Sequence, residues 1–267
     1  MEIIARISKG SKMDQIYIPK QRNILDIGEY VTIKPLVLEN NIDRDYEKFY
    51  FYGIRKLEPI KITIIKEIIR YINKNTYYEN IIITGSFLDK GFNFKDVDIL
   101  LISREKVNKH LLENSLENKL GIKIHLLILD NKSVRKGLET DPLYQSMISR
   151  CVAVKRIAPI NKHKINYKIL DLHLLKSKIL VDNFDILDGK EKYDLIRNLI
   201  AIHLFLKGIK VTIAKIHKEI NLLLKHSVEE IKKNKIDKKS FLKKYKKLYN
   251  EASDKILKGI KYDSKQK

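Results

Sequence analysis

The stretch from Ile81 to Ser103 constrains the fold of this 267-residue chain more than any other segment. It reads IIITGSFLDKGFNFKDVDILLIS, in which a Gly-Ser pair follows one apolar run and Asp96 and Asp98 lie within a second. Because side chains alternate between the two faces of a strand, both carboxylates project from one face while the apolar residues beside them pack on the other. Two carboxylates on one face repel each other unless a cation lies between them. The pattern therefore predicts a divalent-cation site on a strand.

Apolar spacing around this stretch predicts an α/β domain at residues 50–158. The predicted elements are a helix at Leu57–Asn73, strands at 81–84 and 96–103, a helix at about 106–119 and a strand-like apolar run at 122–129. Strands that alternate with helices are typical of a mostly buried sheet. We expect a mixed sheet here.

The rest of the chain divides into two further predicted parts. Residues 1–38 contain short β-type runs broken by turn residues, and residues 165–260 carry apolar residues three and four apart. The helical part is predicted as Tyr167–Val181, Lys192–Lys207, Thr212–Lys225 and a Lys-rich tail of one or two helices from Ser227. The predicted fold class is thus α+β and multidomain, with a small β-rich N-terminal unit, an α/β core and a C-terminal helical bundle.

Charge is the most unusual property of the composition. The formal net charge is +21, and the last quarter from Leu206 carries 19 Lys and no Arg against 7 acidic residues. Such a surface favours a partner with a phosphate backbone, contacted through point charges more than through bidentate reading of bases. The alternative is that Lys, Glu and Ile enrichment reflects the proteome of a hyperthermophile.

Cysteine content and hydropathy limit the kinds of metal site and the cellular locations that this chain can have. The single cysteine, Cys151, excludes an internal disulfide framework and a cysteine-rich zinc site, so any metal is expected to be held by oxygen or histidine. That favours Mg²⁺ or Mn²⁺. The N-terminal MEIIARISKG lacks the apolar run of a signal peptide, and no long apolar run follows. We expect a cytoplasmic protein with no membrane partner.

The order Gly85-Ser86, nine residues, then Asp96-Val97-Asp98 resembles the signature of polymerase-beta-type (minimal) nucleotidyltransferases. The similarity covers about residues 57–147. It implies transfer of a nucleoside monophosphate from an NTP, with ATP as the leading choice, to an acceptor hydroxyl by two metal ions. It also implies that Asp96 and Asp98 are catalytic ligands of Mg²⁺ or Mn²⁺. Gly85 and Ser86 would hold the triphosphate, where glycine lets the backbone approach a phosphate closely.

One position departs from that signature. The family usually carries a third acid on the adjacent strand, where this chain has GIKIHLLILD. The polar residues there are Lys123 and His125, with Asp130 just beyond the run, and His125 is the best match by register. His125 is therefore a candidate catalytic residue or ligand, and the alternative is a polar side chain on an open strand face.

The N-terminal segment is similar to the swapped-hairpin domain of AbrB-like regulators. Ser8-Lys9-Gly10, Ile18-Pro19-Lys20, Arg22 and Gly28-Glu29 match the pattern in order. The resemblance implies an interlocked homodimer that binds DNA through residues 1–38. The same unit could instead serve only for dimerisation or docking.

A helical tract near residue 200 resembles the nucleotide-binding HEPN domain. Arg197-Asn198 precedes His203, in the order of the family's ribonuclease members, which are often paired with minimal nucleotidyltransferases. The alternatives are an ordinary bundle helix and a substrate-binding bundle without catalysis. In the Lys-rich tail, Phe241, Tyr245 and Tyr249 recur every four residues, which predicts a face packed on the bundle with the lysines in water or on RNA.

Together these features predict a metal-dependent nucleotidyltransferase acting on RNA or protein. Kinship with minimal nucleotidyltransferases implies a toxin-antitoxin setting. The rival hypothesis is a DNA-binding regulator or antitoxin whose core only binds nucleotide. A third is a metal-independent ribonuclease centred on Arg197 and His203.

Overall fold

The computed structural model describes residues 7–8, 15–16, 49–158 and 163–265. These residues form two compact units. The first consists of 7–8, 15–16, 49–131 and 152–156, and the second of 132–151, 157–158 and 163–265. The sequence-based domain limits of 1–38, 50–158 and 165–260 stay predictions.

The described residues contain the α-helices and the mixed sheet that the sequence predicts, and the α+β class is confirmed. In chain order the elements are β1 Ile7–Ser8, β2 Gln15–Ile16, β3 Tyr50–Tyr52, α1 Pro59–Asn75, β4 Asn80–Thr84, β5 Asp96–Ile102, α2 Lys109–Leu120, β6 Lys123–Leu129, α3 Asn131–Thr140, α4 Pro142–Ile148, β7 Cys151–Ala153, α5 Tyr167–Asp182, α6 Gly189–Leu206, α7 Ile213–Glu219, α8 Val228–Lys232 and α9 Lys238–Lys265.

The main sheet has five strands in the order β3-β7-β4-β5-β6. β4 pairs antiparallel with both β5 and β7, whereas β5 and β6 run parallel. The register places Thr84 opposite Asp98, and Asp98 opposite His125. Three neighbouring strands therefore contribute to one location on the sheet.

The core of the first unit lies on the face of the sheet that α1 and α2 contribute to. Helix α1 begins with a proline at its first turn and buries a stripe of isoleucines, including Ile64, Ile68 and Ile72. These side chains belong to one core cluster with Ile81, Ile83, Val97, Ile99 and Leu126 from the sheet. On the other face of the sheet Ile82, Leu100 and Ile102 are also buried, and the polar residues at the start of β5 lie at one end of that face.

The second unit is a helical bundle around α6. This helix starts with a capping box between Asp188 and Glu191, and four consecutive residues from Leu199 to Ile202 are buried. A helix that is apolar all round is typical of a bundle centre. Helices α5 and α9 pack against α6 and against each other. Within this bundle the Tyr245 hydroxyl donates a 2.8 Å hydrogen bond to the backbone carbonyl of Ser177.

Among the described residues, two short paired strands represent the predicted N-terminal unit. β1 and β2 pair antiparallel, with Ile7 opposite Ile16. The other matches to the AbrB-like pattern, including Ile18-Pro19-Lys20 and Arg22, lie outside the described residues. No helix among the described residues combines the length and the hydropathy that crossing a bilayer requires.

Candidate active site

The turn after β4 brings the backbone against the carboxylate of Asp98. Gly85 has φ 84° and ψ −167°, a region that is essentially restricted to glycine. A Cβ atom at Gly85 would lie 1.9 Å from Oδ2 of Asp98, so glycine is also required for space. The chain then enters a short 3₁₀ turn at Ser86–Leu88. The two halves of the sequence motif, Gly-Ser and Asp-x-Asp, are thus in direct contact.

Asp96 and Asp98 lie on the same face of β5, as predicted. Both carboxylates are half-buried. Val97, which lies between them, and Ile99, which follows, face the helices and are 0% and 1% exposed. The apolar neighbours anchor the strand in the core. The two carboxylates stay accessible where β5 begins.

Strand β6 adds two nitrogen-containing side chains, a lysine and a histidine, beside the carboxylates. Lys123 is the registered partner of Asp96, and His125 is the partner of Asp98. Nδ1 of His125 lies 3.3 Å from Oδ1 of Asp98, and the imidazole is 69% exposed. His125 therefore occupies the position that the register predicted for it, and its ring is open to solvent. Whether it acts in catalysis stays a prediction.

Asp96 and Asp98 supply the oxygen ligands that Mg²⁺ and Mn²⁺ prefer. Mg²⁺ is commonly held by one or two carboxylates together with substrate phosphates. Within the ranges that the structure describes, no three His, Cys, Asp or Glu side chains are grouped to hold a metal ion. His125 at the third position is a poor ligand for a hard cation. The donor set fits a cation that arrives with a triphosphate, and it does not form a closed protein cage.

A buried lysine fixes the loop between the two motif halves. The Lys61 side chain is 0% exposed, and its Nζ donates to the carbonyl of Gly91 at 2.6 Å and to that of Asp89. It also pairs with Glu58 at 3.1 Å and lies 5.4 to 5.7 Å from the ring centres of Phe87, Phe92 and Phe94. A charged group at this depth is stable only because each of its protons has a partner.

Glu58 completes this anchor from the other side. Its carboxylate accepts a 2.6 Å hydrogen bond from the backbone N–H of Gly91, and this bond lowers the pKa of Glu58 below its usual value. Lys61 and Glu58 were not singled out from the sequence. The available signal was the position of Lys61 on the apolar stripe of α1, four residues before Ile65.

The residues of the HEPN-like motif do not share a helix face. Arg197 and His203 both lie on α6, but six residues separate them, which places them about 120° apart around the helix axis. Arg197 pairs with Asp194 at 3.2 Å, whereas His203 is only 6% exposed. Burial lowers the pKa of His203. Within the described part of the chain, its Nε2 and Oδ1 of Asn198 are buried without a hydrogen-bond partner.

Comparisons with known proteins give no match. No protein-family model, no curated protein and no solved structure matches this chain.

Proposed function

We propose that the protein is a nucleotidyltransferase that moves a nucleoside monophosphate from an NTP, first of all ATP, to a hydroxyl group on RNA or protein. In this reaction the acceptor oxygen forms a bond to the α-phosphorus, and the bond from that phosphorus to pyrophosphate breaks. The proposal concerns the site made by Gly85, Ser86, Asp96, Asp98 and His125.

One observation carries this proposal. The carboxylate of Asp98 fills the space where a Cβ atom of Gly85 would lie, so the backbone at Gly85 lies directly beside one carboxylate of the Asp96 and Asp98 pair. Glycine in a turn allows a phosphate to approach the backbone amides closely, and carboxylates hold the cation that accompanies a triphosphate. Nine residues separate Ser86 from Asp96 in the sequence, which is more than an ordinary turn contains. The antiparallel register of β4 and β5 nevertheless brings Gly-Ser and Asp-x-Asp together.

The residues take the following roles in this proposal. Gly85 and Ser86 bind the triphosphate through the backbone, and Asp96 and Asp98 would hold Mg²⁺ or Mn²⁺. When bound, the cation neutralises phosphate charge and stabilises the negative charge that develops during transfer. Lys61 and Glu58 keep the 89–95 loop in place, so that both motif halves stay in contact. His125 contacts Asp98 and orients its carboxylate.

Two acceptor classes remain in the proposal. The basic surface favours RNA, and kinship with minimal nucleotidyltransferases of toxin-antitoxin systems favours a Tyr or Ser hydroxyl of a protein. A homodimer through residues 1–38 is compatible with either.

A second candidate function is a regulator that senses nucleotide without turnover. The observation that favours it is His125 at the position of the third acid, together with the lack of a three-ligand metal group among the described residues. In that case the N-terminal unit would bind DNA, and nucleotide occupancy of the core would control it.

Labelling with α-³²P NTPs separates these functions. Purified protein is incubated with Mg²⁺ or Mn²⁺, each labelled NTP, and total RNA and protein, next to an Asp96→Asn/Asp98→Asn variant. Asp254→Asn, an exposed acid in the second unit, is the matched control. We expect label on RNA or on a polypeptide that the double variant loses and the control keeps. Nucleotide binding without label in the wild type would contradict the transferase and favour the regulator.

A further inference from the structure

The start of α9 presents a row of lysines that the proposed nucleotidyl transfer does not use. Lys239, Lys243, Lys246 and Lys247, here called the lysine stripe, are all exposed. No acidic residue occurs between Lys238 and Asn250. This local excess of positive charge is the strongest within a single described helix segment.

The packing of α9 fixes the direction in which the stripe points. Phe241, Tyr245 and Ile256 are 0% exposed, and Leu248 and Ala252 are 7% and 1% exposed. At 100° per residue, Lys239, Lys243 and Lys246 lie within an arc of about 60° on the opposite side of the helix. The helix cannot rotate to hide these lysines without exposing two aromatic rings. The positive charges are therefore held outward by the bundle core.

The lysine stripe also lacks internal neutralisation. Other lysines of the bundle are engaged: Lys238 pairs with Asp185, and Lys244 donates to the carbonyl of Leu224. Within the described part of the chain, no side chain of the stripe lysines forms an ion pair or hydrogen bond. Close like charges without partners are unfavourable in the free protein, and a polyanion that binds them relieves this repulsion.

We propose that the lysine stripe binds the phosphodiester backbone of nucleic acid without reading base sequence. Lys239 to Lys246 span about 10 Å along the helix, enough to contact several phosphates of one strand. Lysine ammonium groups act as point charges on phosphates, whereas arginine, absent here, would favour bidentate base contacts. A membrane surface is a poorer partner, because insertion into lipid needs exposed apolar side chains, and those of this segment are buried or partly buried.

The salt dependence of binding tests this proposal in the full-length protein. Affinity for a fluorescein-labelled single-stranded RNA and for a DNA duplex is measured by anisotropy between 50 and 200 mM NaCl. Each lysine-phosphate contact contributes about 0.7 to the slope of log K against log salt on single strands and about 0.9 on duplexes. K239Q/K243Q/K246Q is expected to reduce the slope by about 2 on RNA or about 3 on the duplex. Comparison of the two probes shows which nucleic acid is preferred.

Two further variants control for charge and for folding. K255Q/K258Q/K261Q removes the same charge from the same helix, where Glu251 and Asp254 lie four residues before Lys255 and Lys258, and it should leave the slope nearly unchanged. K239R/K243R/K246R keeps the charge and should keep the slope. Circular dichroism verifies that all three variants retain the helix content of the wild type. This is expected because Gln and Arg have about the same helix propensity as Lys.

Several outcomes would overturn the proposal. These are equal slopes for the two glutamine triples, absence of nucleic-acid binding by the wild type, and equally strong binding to polyglutamate or to phosphatidylserine vesicles. The proposal is independent of nucleotidyl transfer, because labelling activity and salt slope are measured on different substrates and with different variants.

Discussion

At the scale of single residues, Gly85 is the position where side-chain size and backbone conformation matter together. Its dihedral angles exclude other residues, and the carboxylate of Asp98 occupies the place of a Cβ atom. We expect Gly85→Ala to lower the free energy of unfolding by about 1–3 kcal/mol through backbone strain, with a further loss from the clash. Urea unfolding measures this loss. We also expect the rise in melting temperature caused by Mg-ATP to disappear.

Gly91→Ala is the matched control for this substitution. Gly91 has nearly the same φ, 83°, but a Cβ atom there would meet nothing within 4 Å. Gly91→Ala should lower the free energy of unfolding by about 1–2 kcal/mol, because alanine disfavours this φ. The variant should keep the nucleotide-dependent rise in melting temperature. If both variants bind nucleotide as the wild type does, the contact between Gly85 and Asp98 is structural and the proposed triphosphate site is wrong.

The candidate site was predictable from the sequence only in part, and the reason differs from residue to residue. Alternation places Asp96 and Asp98 on one face, and register identifies His125, because strands have a fixed period. The ring contact of Phe87 with Phe94 and the buried Lys61 beneath them depend on how the loop folds back over α1. No local period encodes that fold, so sequence reasoning missed Lys61 and Glu58.

At the scale of elements, side chains of α2 cover the outer edge of β6, which is an edge strand of the sheet that the described residues form. The backbone N–H of Ile124 donates to Glu117 and that of Leu126 donates to Glu113, both at 2.8 Å. The two glutamates lie four residues apart, on one face of α2. An exposed edge strand is a template for pairing with another chain, and these carboxylates cover part of it.

The double substitution Glu113→Ala/Glu117→Ala tests this cover. It leaves two partly buried amides without their acceptors, at a cost of roughly 1–3 kcal/mol each. We expect a lower urea midpoint and faster growth of light scattering on warming. Asn114→Ala/Asn118→Ala changes two exposed residues with the same spacing on the same helix and should remain within about 0.5 kcal/mol of the wild type. Equal scattering by both variants would show that the glutamates do not protect the edge.

Long periodic elements were predicted with their bounds, whereas the short strand β7 was not assigned. The helix predicted at residues 57–73 is α1, and the strands predicted at 81–84 and 96–103 are β4 and β5, each within two residues of its observed ends. Strand β7 has only three residues, and its place depends on pairing of Val152 and Ala153 with β4, about seventy residues earlier in the chain. A segment this short contains too few residues to display a period, so its tertiary partners decide its conformation.

At the scale of the whole molecule, net charge is the dominant property. A chain with a charge of +21 repels itself when compact, and salt screens that repulsion. The Debye length falls from about 10 Å at 0.1 M salt to about 3 Å at 1 M. Screening should therefore stabilise the folded protein while it weakens any contact with nucleic acid. The two effects of salt have opposite signs.

We accordingly expect the urea midpoint to rise when NaCl is increased from low concentration to about 1 M, where screening is nearly complete. Urea is the suitable denaturant because guanidinium is itself a salt. Combining the two glutamine triples of α9 lowers the net charge from +21 to +15, so this variant should gain less from the same NaCl increase. A midpoint that falls with NaCl would mean that ion pairs such as Lys119–Glu67, at 3.1 Å, contribute more than the repulsion among the lysines. An equal rise in both proteins would place the repulsion outside α9.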